Sequence, residues 1–365
     1  MRARNWIALH SIAGVGAATC RRLFEAFGNG EAVFRSLPER LARAGARADV
    51  IRAIGSFRRW AEVDEELRRA SDLGVALVSI EEERYPVGLR FIHDPPPVLY
   101  VRGRIDRADL EAIAIVGARS ASPYGIASAD RLARELAACG VTVVSGLAVG
   151  IDAAAHRGAL AAGGRTIAVL GCGIDQVYPS RHGKLAVAVA EAGAVVSELP
   201  IGTPPEAYQF PRRNRIVAGL SLGVVVVEAG ERSGSLITAR LALEQGRDVL
   251  AVPGEIGLER TRGSHRLIRQ GATLVESAAD VLESALPWRV PAPAPAPRSA
   301  NRASEDLSVD AARLLGAFES VAEPVDRLIE RSGLGTARAL EILLELELAG
   351  KVRPHPGMVF SKRVG

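Results

Sequence analysis

Seven short apolar runs set the tightest limit on how this chain folds. They read AIAIV (112–116), VTVVS (141–145), TIAVL (166–170), AVVSE (194–198), GVVVVE (223–228), DVLAV (248–252) and ATLVE (272–276). Strands this continuously apolar are buried on both faces of a sheet. Helical patterns lie between them, among them ADRLARELAAC (129–139) and SLITARLALEQG (235–246). Strands alternating with helices imply parallel crossovers. The expected fold is therefore α/β, a doubly wound, extended Rossmann-like parallel sheet. Two more extended runs, VALVSI (75–80) and PVLYVRG (97–103), precede it, and Pro95, Pro96 and Pro97 exclude helix between them.

The flanks differ in texture. Residues 1–72 read as helical, with a Gly14-Val15-Gly16 turn opening a helix that carries Leu23, Phe24 and Phe27. That pattern suits a small all-α helix-hairpin-helix-like or sterile-alpha-motif-like module. Its turn either offers backbone amides to a phosphate or simply joins two helices. Residues 287–304, PWRVPAPAPAPRSANRAS, form a Pro/Ala-rich linker expected to be extended. Residues 305–365 read helix, Gly turn, helix, then a hairpin around Pro356-Gly357, the pattern of a winged helix. The expected domains are 1–74 helical, 75–286 Rossmann-like, 287–304 linker and 305–365 winged helix.

Charge is informative only locally. The chain has 365 residues with 46 basic and 42 acidic side chains, a net charge of +4. Residues 106–286 hold 18 basic and 19 acidic groups, so a tight arginine cluster there stands out. Residues 305–365 hold 8 basic and 10 acidic, which favours a protein partner over DNA for the winged helix. Cys20, Cys139 and Cys172 are scattered, without a metal-binding or disulfide spacing. A reducing cytoplasm fits, and no cofactor or metal is expected. No apolar run is long enough for a membrane span. The opening residues are broken by His10 and Ser11 and run on into a helical pattern, so no leader is expected.

Ligands of an open parallel sheet bind beyond the carboxyl ends of its strands. Six of the runs are followed there by loops rich in Gly, Ser and Arg. They include Gly117-Ala118-Arg119, Ser145-Gly146, Gly171-Cys172-Gly173 and Ser233-Gly234-Ser235, with a long loop ending in Phe210-Pro211-Arg212-Arg213-Asn214-Arg215. Glycines let backbone amides approach a ligand and helix N-termini favour anions. Arginine binds phosphate bidentately and stacks on bases. Phe210 and Tyr178 are candidate stacking platforms. The pattern points to a polyanion carrying bases. For Ser233-Gly234-Ser235 a plain helix cap is the alternative reading, and compatible with an anion site. Asp152 and His156, four apart, lack further ligands for a metal and read as a cap and a packed side chain. Glu198 and Glu228 end their strands without a partner at catalytic spacing, so no catalytic role is assigned.

Nucleotide-enzyme motifs are missing. The first loop, GARSASPYG, departs from G-x-G-x-x-G at its second glycine, and no P-loop exists. A phosphoribohydrolase-like enzyme or small-nucleotide sensor on the same fold is the alternative, weakened because AGERSGSLITAR lacks that enzyme's glutamate spacing. Together YPVGLRFIHDPPPVLYVRG, IAIVGARSASPYG, VVSGLAVGIDAAAH, TIAVLGCGIDQVYP, FPRRNRIVAGLS, VVVEAGERSGSLITARLALEQGRDVLAVPG and GSHRLIRQGA resemble the DNA-processing protein A (DprA/Smf) family over roughly residues 80–285. The resemblance implies a non-enzymatic, homodimeric mediator that binds single-stranded DNA and loads RecA recombinase in natural transformation. With the rim loops, it gives candidate strand-binding residues: Gly117, Arg119, Phe210, Arg212, Arg213, Asn214, Arg215, Ser233, Gly234 and Ser235 on the family's motifs, and Ser145 and Gly146 from the loop after the second run. Ala118 departs from the family's G-[ST]-R loop and lacks its hydroxyl.

Overall fold

The apolar runs pair into one nine-stranded sheet: β1 Ala76–Ser79, β2 Val98–Gly103, β3 Ala112–Gly117, β4 Thr142–Ser145, β5 Thr166–Val169, β6 Ala194–Ser197, β7 Gly223–Val227, β8 Asp248–Ala251 and β9 Thr273–Leu274. A computed structural model describes residues 2–289, 308–318, 322–349, 351–355 and 358–362. The strand order is β1-β2-β6-β5-β4-β3-β7-β8-β9. From β6 to β9 every pair is parallel. The two Pro-separated runs add an antiparallel edge, β1 on β2 and β2 on β6, so the sheet is mixed. The chain winds outward from β3 through β6, then returns to lay β7 on the other side of β3. That reversal opens a crevice at the carboxyl ends of β3 and β7, where helices depart to opposite faces.

Alternation along each strand divides the core in two. Ile113, Ile115, Val143, Val225 and Val227 face Leu132, Leu136, Ile151 and Val281. These come from helices Pro123–Ala138, Ile151–Ala161 and Ala278–Ala285. Ala114, Val116, Val144, Val224 and Val226 face Ile216, Val217, Ala239 and Ala242. These belong to helices Gln209–Gly219 and Gly234–Glu244. The same core continues into Trp6, Leu9, Leu23 and Val50 of the N-terminal helices. Polar contacts tie that layer down: Ile201 N–H donates to Glu66 at 2.8 Å, and the Trp6 indole and Gly30 N–H both donate to Glu81. The N-terminal helices thus belong to the first of two compact units, Met1–Pro291 and Ala292–Gly365.

Residues 287–289 form a short 3₁₀ turn held by Glu111, which accepts from both the Trp288 indole and the Arg289 guanidinium. The rest of the expected linker, to residue 304, lies outside the described residues. In the second unit, helices Val309–Gly316, Val325–Ser332 and Thr336–Leu348 pack on strands β10 Ala322–Pro324, β11 Val352–His355 and β12 Val359–Lys362, in the order β10-β12-β11. This is a winged-helix architecture; the hairpin turn expected at 356–357 falls outside the described residues. Among the described residues no helix is long and apolar enough to cross a membrane.

Gly117 ends β3 where β7 comes closest, and a Cβ there would overlap the Val227 carbonyl oxygen. Gly117→Ala is expected to cost about 2–3 kcal/mol of overpacking, read as a lower urea midpoint with an unchanged slope.

Candidate nucleic-acid interface

The motif FPRRNR lies on a helix, not at the end of a loop. Helix Gln209–Gly219 begins just before it, with Pro211 in the first turn, where its missing N–H costs nothing. Helical spacing then separates the arginines. Phe210, Arg213, Asn214 and Val217 stand at i, i+3, i+4 and i+7, and all four line one cavity. Arg212 and Arg215 do not line it.

The cavity measures about 980 Å³ and opens at the crevice between β3 and β7. Its walls are the 117–120 loop, Gly146, Asp152, the inner face of helix Gln209–Gly219, the 230–235 loop with Thr238, and residues 258–260. At its side the Arg119 guanidinium lies 5.4 Å from the centroid of the Phe210 ring. Tyr178 packs on Phe210 at 5.6 Å between centroids. The result is a ladder of guanidinium and two aromatic rings. Arg119, Arg232 and Arg260 line this cavity as exposed side chains.

Two arginines of the motif are committed inside the protein. Arg213 is buried and donates to the carbonyl oxygens of Gly146, at 2.8 Å, and Val169. Its Nε donates to Asn214 Oδ1 at 3.2 Å. Burial lowers its pKa, and nearby Asp152 opposes that. Arg215 is also buried and donates to both oxygens of Glu198, at 2.9 and 2.6 Å, and to Asp94 at 2.8 Å. Burial would lower the Arg215 pKa, but the two carboxylates outweigh it and raise it. Arg212 is exposed on the outer side of the helix.

Several loop amides are satisfied internally too. Gly146 and Ala148 N–H donate to Asp152 at 3.1 and 3.3 Å. Ser145 Oγ donates across to Ile115 O at 2.7 Å and is fully buried. Ser233 caps helix Gly234–Glu244, accepting from Ser235 N–H, and its hydroxyl also meets that of Ser235 at 2.7 Å. Asn214 Nδ2 reaches the Gly234 carbonyl at 3.3 Å. The loops after β3 and β7 and helix Gln209–Gly219 therefore converge on one cavity.

The family model described as DNA recombination-mediator protein A matches residues 76–286, a DprA winged helix domain matches 293–358, and a DprA-like N-terminal HHH domain matches 2–59. The chain belongs to the DNA recombination-mediator protein A family. It is similar to Protein Smf of Escherichia coli (strain K12), 45% identical over 77% of this chain and 76% of that one. DNA processing protein DprA of Streptococcus pneumoniae is 45% identical over 56% of this chain and 72% of its own. The solved structure of DprA from that species aligns with a TM-score of 0.68 at 37% identity, over 77% of this chain and 97% of its own. DNA processing protein A from Helicobacter pylori, studied for its single-stranded DNA binding mode, aligns with a TM-score of 0.51 at 30% identity, over 57% and 94%.

Against this family frame, the twelve expected residues divide. Gly117, Arg119, Gly146, Phe210, Arg213, Asn214, Ser233, Gly234 and Ser235 line the cavity, while Ser145, Arg212 and Arg215 do not. Arg232 and Arg260 were not singled out from the sequence, though Arg232 follows β7, which flanks the crevice. Asp152 and His156 meet different partners, Asp152 the Gly146 and Ala148 amides and His156 the Thr166 hydroxyl. The Thr166 hydroxyl donates to Val143 O, so its oxygen receives the His156 Nδ1–H, at 2.7 Å. His156 Nε2 is left buried without a partner. Among the described residues no group of three or more potential ligands could hold a metal.

Two outcomes are expected. Arg215→Ala leaves Glu198 and Asp94 without their cation and should cost about 3–5 kcal/mol in urea unfolding. Burial lowers the His156 pKa to about 3. The unfolded chain takes up that proton near pH 6.5 and the native one does not, so stability is full above pH 6.5 and falls by about 1.4 kcal/mol per pH unit below it. His156→Asn, which keeps a donor to Thr166, should remove about 2 kcal/mol of the stability lost between pH 7.5 and pH 5.

Proposed function

We propose that this chain binds single-stranded DNA along the carboxyl rim of the sheet and hands it to a RecA-type recombinase, without catalysing a reaction. The observation that carries the reading is the ladder of Arg119, Phe210 and Tyr178 beside the cavity. An exposed guanidinium next to a half-exposed aromatic meets the two parts of a single strand, phosphate and base. Phe210 with Tyr178 would stack one base, and stacking on a protein aromatic is worth roughly 1–3 kcal/mol. Arg119, Arg232 and Arg260, with Arg212 on the flank, would meet phosphates. Arg213, Arg215 and Ser145 would contribute by holding the rim in shape. Duplex DNA, whose bases are already paired and stacked, would gain only the phosphate contacts.

A homodimer would double the cation array and gain by avidity. The winged helix, acidic on balance, would contact protein. Work on DNA alongside a recombinase would put the chain in the cytoplasm.

Fluorescence anisotropy with a labelled strand of about 30 nucleotides tests the reading, with duplex and AMP as competitors. Wild type should bind the strand in preference to duplex, with a log–log salt slope of roughly −2 to −3. Arg119→Ala/Arg232→Ala should weaken binding and shrink that slope by about 1.4. Displacement by AMP at concentrations near those of the oligonucleotide would instead favour a small-nucleotide site.

A further inference from the structure

Two non-glycine residues of the first unit have left-handed backbone, Leu147 (φ 58°) and Glu228 (φ 51°). Both lie just beyond the ends of β4 and β7, the strands on either side of β3. Strain of this kind persists only where the surroundings enforce it, and it gathers at functional sites. Leu147 belongs to the turn that Asp152 already holds. Glu228 is buried, lies outside the cavity lining and has no part in the strand-binding reading.

Its carboxylate has a defined target. Ser122 N–H donates to Glu228 Oε2 at 2.8 Å, and Ser122 Oγ–H donates to Oε1. The same hydroxyl accepts from Gly125 N–H at 3.1 Å, capping helix Pro123–Ala138. Gly125 leaves the room this needs, since a Cβ there would stand 2.6 Å from the Glu228 carboxyl carbon. The other end of the loop is fixed as well: Ile151 N–H donates to Ala118 O at 3.2 Å, and Gly150 packs against the Arg119 carbonyl. Arg119 thus sits between two anchors, and the downstream one is Glu228.

We infer that Glu228 is a positioning residue for strand binding: by holding Ser122 it fixes the 117–122 loop so that the Arg119 guanidinium stays over Phe210. The inference rests on the strand-binding reading above. Glu228→Gln replaces one accepting oxygen with a donor that faces the Ser122 donors, and the loop is released. Ser122→Ala removes the hydroxyl link and the cap on Gly125 N–H, and leaves the buried carboxylate in place with the backbone N–H of residue 122. Either change removes most of what Arg119 contributes, about a tenfold loss for one charge-assisted phosphate contact.

Two measurements on the full chain decide it. The first is trypsin cleavage after Arg119, mapped by mass spectrometry on folded protein without DNA. The second is anisotropy with the 30-nucleotide strand, alone and in double-mutant cycles. Glu228→Gln and Ser122→Ala should speed the cut at Arg119 and weaken binding about tenfold. Neither should weaken binding further in the Arg119→Ala background, while each adds in full to Arg212→Ala. A general loss of structure would instead add to both arginine variants and speed cleavage throughout the chain. Unchanged cleavage, unchanged affinity, or a loss that adds to that of Arg119→Ala would overturn the inference. If wild type fails to bind the strand, the strand-binding reading falls and the positioning role falls with it. The cleavage result then decides only whether Glu228 fixes the loop.

Discussion

Where β4 and β5 end, the Arg213 guanidinium turns its Nη1 onto the carbonyl oxygens of Gly146 and Val169. Strand-end carbonyls at a crevice have no further strand to bond, and buried ones need a donor. One buried cation supplies two of them, the charge of nearby Asp152 opposes the effect of its burial, and that carboxylate gathers the Gly146 and Ala148 amides. Guanidinium, carboxylate and turn form one closed set. Removing any one of them leaves a buried polar group without its partner. The floor of the cavity is built on this set, and the exposed arginines are arranged around it.

The sheet was legible because its strands are apolar on both sides and end at glycine or polar residues. AIAIV and GVVVV read as strands of a buried parallel sheet, and in the structure they pair with Ile115 opposite Val225. The antiparallel edge was less legible. VALVSI and PVLYVRG look alike as apolar runs, and nothing local tells which direction each takes. At the site, the cluster FPRRNR was visible but its division was not. Three arginines within four residues look equivalent as letters. Only the helix phase separates the one beside the cavity floor, the one in solvent and the one against Glu198. The partners that settle the matter, Glu198 and Asp94, are 17 and 121 residues away in the chain. Loop amides are hard to read for the same reason: the acceptors of the Gly146, Ala148 and Ser122 N–H groups, Asp152 and Glu228, belong to other elements.

This division also explains how a segment that is neutral overall can keep several arginines exposed at one rim, beside the exposed Glu231 and Glu259. Arg213 and Arg215 are matched by Asp152, Glu198 and Asp94 inside, so their charges scarcely act outward. Arg119, Arg212, Arg232 and Arg260 stay in solvent. Counting charge by sequence segment averages the two populations. Sorting it by burial separates a structural lattice of ion pairs from a surface cation array.

Every exposed cation named at the rim is a guanidinium. An ammonium can be acylated or lose its proton in a basic medium; a guanidinium stays charged at any pH a cell reaches. A grip on an anion through these side chains would therefore not be adjustable by lysine acylation or by ordinary swings in acidity. Ionic strength remains the variable that sets it.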